Sequence, residues 1–273
     1  MTPSDALITY YNRYDEASRL SGPWGQIEFT RTQEIITRYL PPQPACILDV
    51  GGASGRYACW LAGLGHQVHL VDPVPRHVRQ AQAASAAQPD SPLTSCSLGD
   101  ARRLAFGERC ADVILLLGPL YHLTNSKDRH MALTEASRIL KPGGVLFAAA
   151  ISRFASTLDG LDSGYFQDPA FQTIMRQDLA TGQHRNPTGN PAYFMDTFFH
   201  HPDELHAEVA ATSLHVEALL AVEGICYLIQ DLSTHWNNPE YRRFILEILS
   251  TTESEPTLLG ASPHLLCVAQ KPL

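Results

Sequence analysis

Between residues 46 and 151 short apolar runs alternate with segments of helical period, and this alternation restricts the chain more than any other feature. Ile47-Leu48-Asp49-Val50 ends in Gly51-Gly52-Ala53-Ser54-Gly55, after which Tyr57, Trp60, Leu61 and Leu64 fall at i, i+3, i+4 and i+7, one face of a helix. The pattern reads strand, glycine-rich turn, helix. Gly63 and Gly65 stop that helix, and Gln67 to Val71 gives a second strand ending at Asp72-Pro73. An alanine-rich helix, about Arg76 to Ala87, precedes a third strand near Leu93 to Leu98, which leads into Gly99-Asp100-Ala101. The run Asp112 to Leu117 reads as a fourth strand buried on both faces and closed by Gly118-Pro119. A helix from about Lys127 to Leu140 stops at Lys141-Pro142-Gly143-Gly144, and Val145 to Ile151 is strand five.

Repeated β-α units with crossovers of this length imply a parallel, doubly wound sheet. Beyond residue 151 the rhythm breaks. About fifty residues pass before the next amphipathic helix, Pro202 to Thr212, and a structureless connection of that length is improbable in a compact domain. Ser152 to Phe199, rich in glycine, aspartate and aromatic residues, therefore reads as a folded lid. Strand six falls near His215 to Leu220 and strand seven at His264 to Ala269, with a second insertion holding a helix at Glu240 to Leu249. The expected fold class is α/β: a doubly wound, mostly parallel seven-stranded sheet with helical lid insertions. The expected divisions are a helical N-terminal cap (1–44), a ligand-binding core (45–151), the lid (152–199), and a C-terminal part of the core (200–273) carrying the insertion at about 225–262.

With 273 residues, 44% of them hydrophobic, the chain can bury one substantial core. The six cysteines contain no C-x-x-C pair and read as reduced thiols. The histidines show no H-E-x-x-H spacing, so no metal site is expected. A net charge of −8 disfavours a polyanionic nucleic-acid substrate. No apolar stretch approaches a membrane span, and the N-terminus lacks the basic, apolar, small-residue order of an export leader. The expectation is a cytoplasmic protein without a membrane partner, monomeric or homodimeric.

A sheet of this kind binds ligands beyond the carboxyl ends of its strands, where this chain concentrates glycines and acids. The glycines allow a ligand to lie against backbone N–H groups at a helix N-terminus, and Asp72 can accept hydrogen bonds from a ribose diol. A dinucleotide site is the competing reading, but G-x-G-x-x-G from Gly51 would need glycines where Ala53 and Arg56 stand.

Asp49-Val50-Gly51-Gly52-Ala53-Ser54-Gly55 resembles the first motif of class I S-adenosylmethionine-dependent methyltransferases, D/E-x-G-x-G-x-G, with Ala53 in place of the middle glycine. The resemblance continues through Val71-Asp72-Pro73, Gly99-Asp100-Ala101, Gly118-Pro119-Leu120-Tyr121-His122-Leu123 and Leu140-Lys141-Pro142-Gly143-Gly144. It implies S-adenosyl-L-methionine as cofactor. Asp49 and the turn of Gly51, Gly52, Ala53 and Gly55 would hold the amino-acid end, and Asp72 the ribose. Asp100 and the Ala101 backbone would take the adenine amino edge, with Pro73 and Leu117 flanking the ring. An acid-rich site suits a ligand that carries an ammonium and a sulfonium but no phosphate.

Methyl transfer from a sulfonium needs alignment in a dry pocket more than covalent help. The two insertions and the N-terminal helix are expected to wall the acceptor site together. Tyr121 and His122 are the catalytic candidates, with His122 equally readable as pocket lining. Tyr11, Tyr14, Tyr165 and His200 are the substrate candidates, with Tyr14 resembling a tyrosine that small-molecule methyltransferases lay over the cofactor. For His200 and His201 the favoured reading is structural, at the start of the helix after Pro202. The Asn/Asp-Pro-Pro-Tyr motif of nucleobase and glutamine methylation is absent, since Gly118-Pro119-Leu120-Tyr121 stands in its place. A small-molecule acceptor is therefore expected. RNA or protein methylation, or a non-catalytic cofactor-binding subunit, are the alternatives.

Overall fold

The computed structural model describes residues 5–273. Residues 1–4, where the leader reading and the cap begin, lie outside the described residues. In chain order the strands are β1 (Cys46–Val50), β2 (Gln67–Asp72), β3 (Ser95–Leu98), β4 (Ala111–Leu116), β5 (Leu140–Ile151), β6 (Gln183–His184), β7 (Thr197–Phe198), β8 (His215–Ala221) and β9 (His264–Gln270). The helices are α1 (Asp5–Arg13), α2 (Pro23–Tyr39), α3 (Arg56–Gly63), α4 (Pro75–Ala86), α5 (Pro119–His122), α6 (Ser126–Ile139), α7 (Ala155–Asp162), α8 (Pro169–Thr181), α9 (Pro202–Ala210), α10 (Leu232–Asn237) and α11 (Pro239–Thr252).

Seven strands form one sheet in the order β3-β2-β1-β4-β5-β9-β8. Pairs β1/β2, β1/β4, β2/β3 and β4/β5 are parallel, and β9 is antiparallel to both β5 and β8. The sheet is thus mostly parallel, as expected. Strand β9 runs the other way because β8 ends on the same rim as β1 to β5, and the chain re-enters the sheet from that rim. Winding reverses between β1 and β4, which opens a crevice at their carboxyl ends.

Both sheet faces are covered, which explains the unbroken apolar runs. Leu48, Val50, Ile114, Leu116, Leu146 and Ala148 pack with Ala132, Leu133 and Ala136 of α6 and Leu205 and Val209 of α9. The alternate residues Ile47, Leu70, Val113, Leu115 and Phe147 pack with Ile35 and Ile36 of α2, Ala58 and Leu61 of α3 and Ala81 of α4.

The lid has its own small core, Phe171, Ile174 and Tyr193 with Tyr165 and Met175 against it. Helices α7 and α8 cross closely at Gly160, where a Cβ would lie 2.7 Å from Phe171 Cε1. Buried Asp178 joins the pieces, accepting from Ser156 Oγ at 2.6 Å and bonding His184 Nδ1 at 2.8 Å, while His184 Nε2 reaches the Tyr193 carbonyl at 2.7 Å. The second insertion packs mainly on the cap: Ile27 of α2 buries against Cys226, Leu232, Trp236 and Leu249. Trp236 Nε1 donates to Gln26 Oε1 at 2.7 Å, and buried Arg31 pairs with Glu253. No helix among the described residues is long and apolar enough to cross a membrane. All six cysteines are free.

Candidate active site

The site starts from one central strand. β1 lies between β2 and β4, with Asp49 opposite Leu70 and Leu115. Asp49 is 1% exposed, and its Oδ2 has no hydrogen-bond partner. Burial, reinforced by the neighbouring Asp72 carboxylate, pushes the Asp49 carboxyl up to about 7. The chain makes room for it: a Cβ on Gly52 would lie 2.6 Å from Asp49 Oδ2, so only glycine fits there. Ala53 next to it sits at φ +47, a left-handed conformation that costs an L-residue roughly 1–2 kcal/mol. Its N–H donates to Asp72 Oδ2 at 2.9 Å, which holds the strained turn against β2.

Asp72 is buried at the end of β2. Its Oδ1 accepts from Val74 N at 2.8 Å and from His77 Nδ1 at 3.1 Å. Three of about four acceptor directions of the carboxylate are therefore used, leaving one on Oδ2. Beyond β3, Asp100 Oδ1 accepts from the Arg102 backbone N–H and Nε, both at 2.9 Å, and Oδ2 from Arg102 Nη2 at 2.6 Å. Burial raises the Asp100 carboxyl, but the bonds from Arg102 outweigh it and hold it below its ordinary value. Arg102 also reaches Asp128 at 2.9 Å.

These side chains border a cavity of about 480 Å³ at the tips of β1 to β4. Of the residues expected to hold a cofactor, Asp49, Gly51, Gly52, Ala53, Asp72, Pro73, Asp100, Ala101 and Leu117 line it. Gly55 does not line it; at φ +86 it turns the chain into α3 instead. Six carboxylates (Glu16, Asp49, Asp72, Asp100, Asp128 and Asp196) face three guanidiniums (Arg19, Arg56 and Arg102) around the cavity. Met195 and Asp196, near the end of the lid, and Tyr11 of α1 also line it.

A second cavity of about 220 Å³ lies under the lid and shares Tyr11, Glu16, Arg19 and Tyr121 with the first. Of the catalytic candidates, Tyr121 borders both cavities and His122 the first. Burial, with His77 nearby, pushes the His122 imidazole down to about 3, and burial raises the Tyr121 phenol above its ordinary value. His122 Nε2 is 2.7 Å from the Tyr11 hydroxyl, and its Nδ1 is buried without a partner. A neutral imidazole accepting from Tyr11 fits this geometry.

The four substrate candidates separate. Tyr11 borders both cavities, whereas Tyr14, Tyr165 and His200 border neither. Tyr14 stacks on Tyr10 at 5.4 Å, and Tyr165 packs on Phe171 and Tyr193 inside the lid core. His200 is fully buried and bonds Glu208 at 3.3 Å, where it fastens the end of the lid to α9. His201 caps α9, accepting from Asp203 N at 3.3 Å, as the structural reading of this pair expects. The second insertion gives the cavities only Tyr227, so the expected third wall is mostly an α2 partner.

Sequence reasoning missed Glu16, Arg19, His77, Arg102, Asp159, Tyr227 and His264. His77 had a local signal, five residues past Asp72 on the first turn of a helix. Arg102 had one too, two residues past Asp100 and bonded to it; the others come together only through tertiary packing.

Residues 48–148 match the methyltransferase-domain family. The chain is 33% identical over 150 residues to the ubiquinone biosynthesis O-methyltransferase of Methylobacterium nodulans, covering 51% of this chain and 58% of that protein. It is 28% identical over 122 residues to the ubiquinone/menaquinone biosynthesis C-methyltransferase of Acidiphilium cryptum, covering 44% of this chain and 48% of that protein. It thus spans about half the length of the curated relatives it matches. Among solved structures, an S-adenosylmethionine-dependent methyltransferase of Methanosarcina mazei superposes with a TM-score of 0.59 at 18% identity, over 88% of this chain and 97% of that one. The geranyl diphosphate C-methyltransferase of Streptomyces coelicolor gives 0.55 at 13% identity, over 89% of this chain and 79% of that one. At such identities these likenesses speak to the fold alone. With the sheet order, the family match gives the conclusion: over residues 48–148 this chain carries a methyltransferase domain, set in a mostly parallel seven-stranded sheet.

Proposed function

We propose that the protein methylates a small molecule, with S-adenosylmethionine bound in the larger cavity and the acceptor in the smaller one. The observation that carries this reading is the unpartnered, buried Oδ2 of Asp49 inside a cavity where carboxylates outnumber guanidiniums. A buried acceptor without a donor is costly unless a ligand supplies one, and an ammonium does so with a matching charge. The Gly52 cradle fits the same ligand, because it leaves the carboxylate approachable from the turn.

When bound, the cofactor supplies an electrophilic methyl group on a sulfonium. The chain's own residues then bind and orient. Asp49 and the backbone of Gly51 to Ala53 hold the ammonium end, and Asp72 accepts from the ribose through the free direction on Oδ2. Asp100, steadied by Arg102, and the Ala101 N–H face the adenine edge, with Pro73 and Leu117 against the ring. Tyr11 and Tyr121 stand where the cavities meet and keep water out. An imidazole held near 3 is a weak base, so His122 serves to fix the Tyr11 hydroxyl rather than to take a proton.

The size of the smaller cavity supports a metabolite over RNA or protein, since 220 Å³ is below the roughly 300–1,000 Å³ of drug-sized sites. The ubiquinone-pathway relatives agree with that class. Free cysteines support a reducing, cytoplasmic setting. The test is calorimetric titration with S-adenosylmethionine, S-adenosylhomocysteine and NAD, repeated on Asp72→Ala. Micromolar binding of the first two, absence of NAD binding and loss in the variant support the reading; NAD binding alone contradicts it.

A further inference from the structure

The smaller cavity has walls whose charges do not balance. Its apolar lining is aromatic, with Tyr11, Phe171, Tyr193, Phe194 and Tyr227 among the rings facing it. Five charged or readily charged side chains border it: Glu16, Arg19, Asp159, His184 and His264. Each basic group among them has a carboxylate of its own behind the wall, His184 the buried Asp178 at 2.8 Å. Arg19 is gripped by Glu28, with Nη2 donating to Oε1 at 2.9 Å, and Arg19 Nε also donates to Glu16 at 2.8 Å. Burial lowers the His264 imidazole, but Glu223 at 2.6 Å, with Glu28 adding to it, carries it up to about 9. His264 is therefore an imidazolium matched by Glu223.

The acids are not matched. Arg19 serves two carboxylates with one charge, which leaves an excess at Glu16. Asp159, on the cavity side of α7, has the Ser163 hydroxyl at 3.1 Å as its side-chain partner and is paired to no cation among the described residues. Burial raises its carboxyl, and Asp162 adds to the effect. A half-buried carboxylate beside aromatic faces favours a cation twice over, through charge and through the negative faces of the rings.

Resting on the methyltransferase reading above, we propose that the smaller cavity selects an acceptor bearing a protonated amine on a compact, flat apolar body, its ammonium seated against Asp159. The body then reaches from the lid toward the junction at Tyr11, Glu16 and Tyr121. An anion of the same size meets the uncompensated charge of Glu16 and Asp159, and a neutral ligand leaves Asp159 without a counterion.

The experiment is calorimetric titration of the full chain, saturated with S-adenosylhomocysteine, with phenethylamine and with 3-phenylpropionate at pH 7.5. Phenethylamine binds at least tenfold more tightly. Asp159→Asn weakens it roughly ten- to hundredfold, the range of one charge-assisted hydrogen bond. Asp162→Asn removes the same charge from an exposed position outside the cavity and leaves the preference intact. Equal or tighter binding of the carboxylate, no binding of either ligand, or an unchanged preference in Asp159→Asn overturns this inference alone. Failure to bind S-adenosylhomocysteine defeats the methyltransferase reading and this inference with it.

Discussion

Replacing Asp49 by asparagine should make the ligand-free protein more stable above neutral pH while abolishing cofactor binding. The carboxyl moves from an ordinary value of 3.8 to about 7 on folding, through burial and the repulsion of Asp72. At 1.36 kcal/mol for each unit, ionising it inside the fold costs about 4 kcal/mol, an upper figure because relaxation and water entry reduce it. The sign follows from proton counting. Between pH 4 and about 7 the folded chain keeps a proton that the unfolded chain has released, so stability falls as pH rises through that window and levels off above it. Asparagine keeps the shape and removes the titration. For a chain of this size about 1 kcal/mol shifts the unfolding midpoint by roughly 2 °C. Scanning calorimetry should show Asp49→Asn near the parent at pH 4 and up to about 8 °C higher at pH 8. The cofactor's ammonium should stabilise the parent and not the variant. A variant less stable than the parent at pH 8 would refute the reasoning, because it would mean that the carboxylate already has partners in the empty site.

Gly52→Ala puts a methyl group 2.6 Å from Asp49 Oδ2, and it should cost about 1–3 kcal/mol by chemical denaturation and remove cofactor binding. Tyr11→Phe deletes the 2.7 Å bond to His122 and leaves both imidazole nitrogens unpartnered, a loss of about 1–3 kcal/mol measurable as a lower denaturation midpoint. Gly160→Ala forces α7 from α8 at Phe171, so acceptor KM should rise several-fold while S-adenosylhomocysteine affinity holds. Glu253→Gln strips the buried guanidinium of Arg31 of its buried counterion and leaves it the partly exposed Glu34, so it should destabilise the chain by about 1–3 kcal/mol in urea unfolding.

What could be read from the sequence is what the chain settles locally. A strand ending in an acid and a glycine turn occupies one short stretch, so Asp49 to Gly55 and Asp72 were legible with their neighbours. Elements with strong periods, such as α3 and α6, fell within a residue or so of expectation. Period does not encode direction, however, and nothing in His264 to Ala269 announced that β9 runs against its neighbours. Strand β5 begins at Leu140 rather than Val145 because Lys141-Pro142-Gly143-Gly144, which ends a helix by its composition, lies beside the end of β9, where Gly143 N donates to the Lys271 carbonyl at 2.8 Å. The acceptor side was largely illegible. Glu16, Asp159 and His264 come from the cap, the lid and the last strand, and only packing brings them to one cavity. The aromatic residues of the lid divided for the same reason, with Tyr165 packed on its core, Phe171 and Tyr193 shared between core and cavity wall, and Phe194 at the wall.

The acids at the tips of β1, β2 and β3 are read here as a site for a cationic nucleoside, and that reading carries everything proposed for the molecule. It is tested most directly by titrating S-adenosylmethionine into the protein near pH 7 in two buffers of different ionisation enthalpy. With Asp49 near half-protonation in the empty site, binding should release a fraction of a proton, and affinity should rise between pH 6 and pH 8. Binding with proton uptake, or affinity that falls over that interval, would contradict the account.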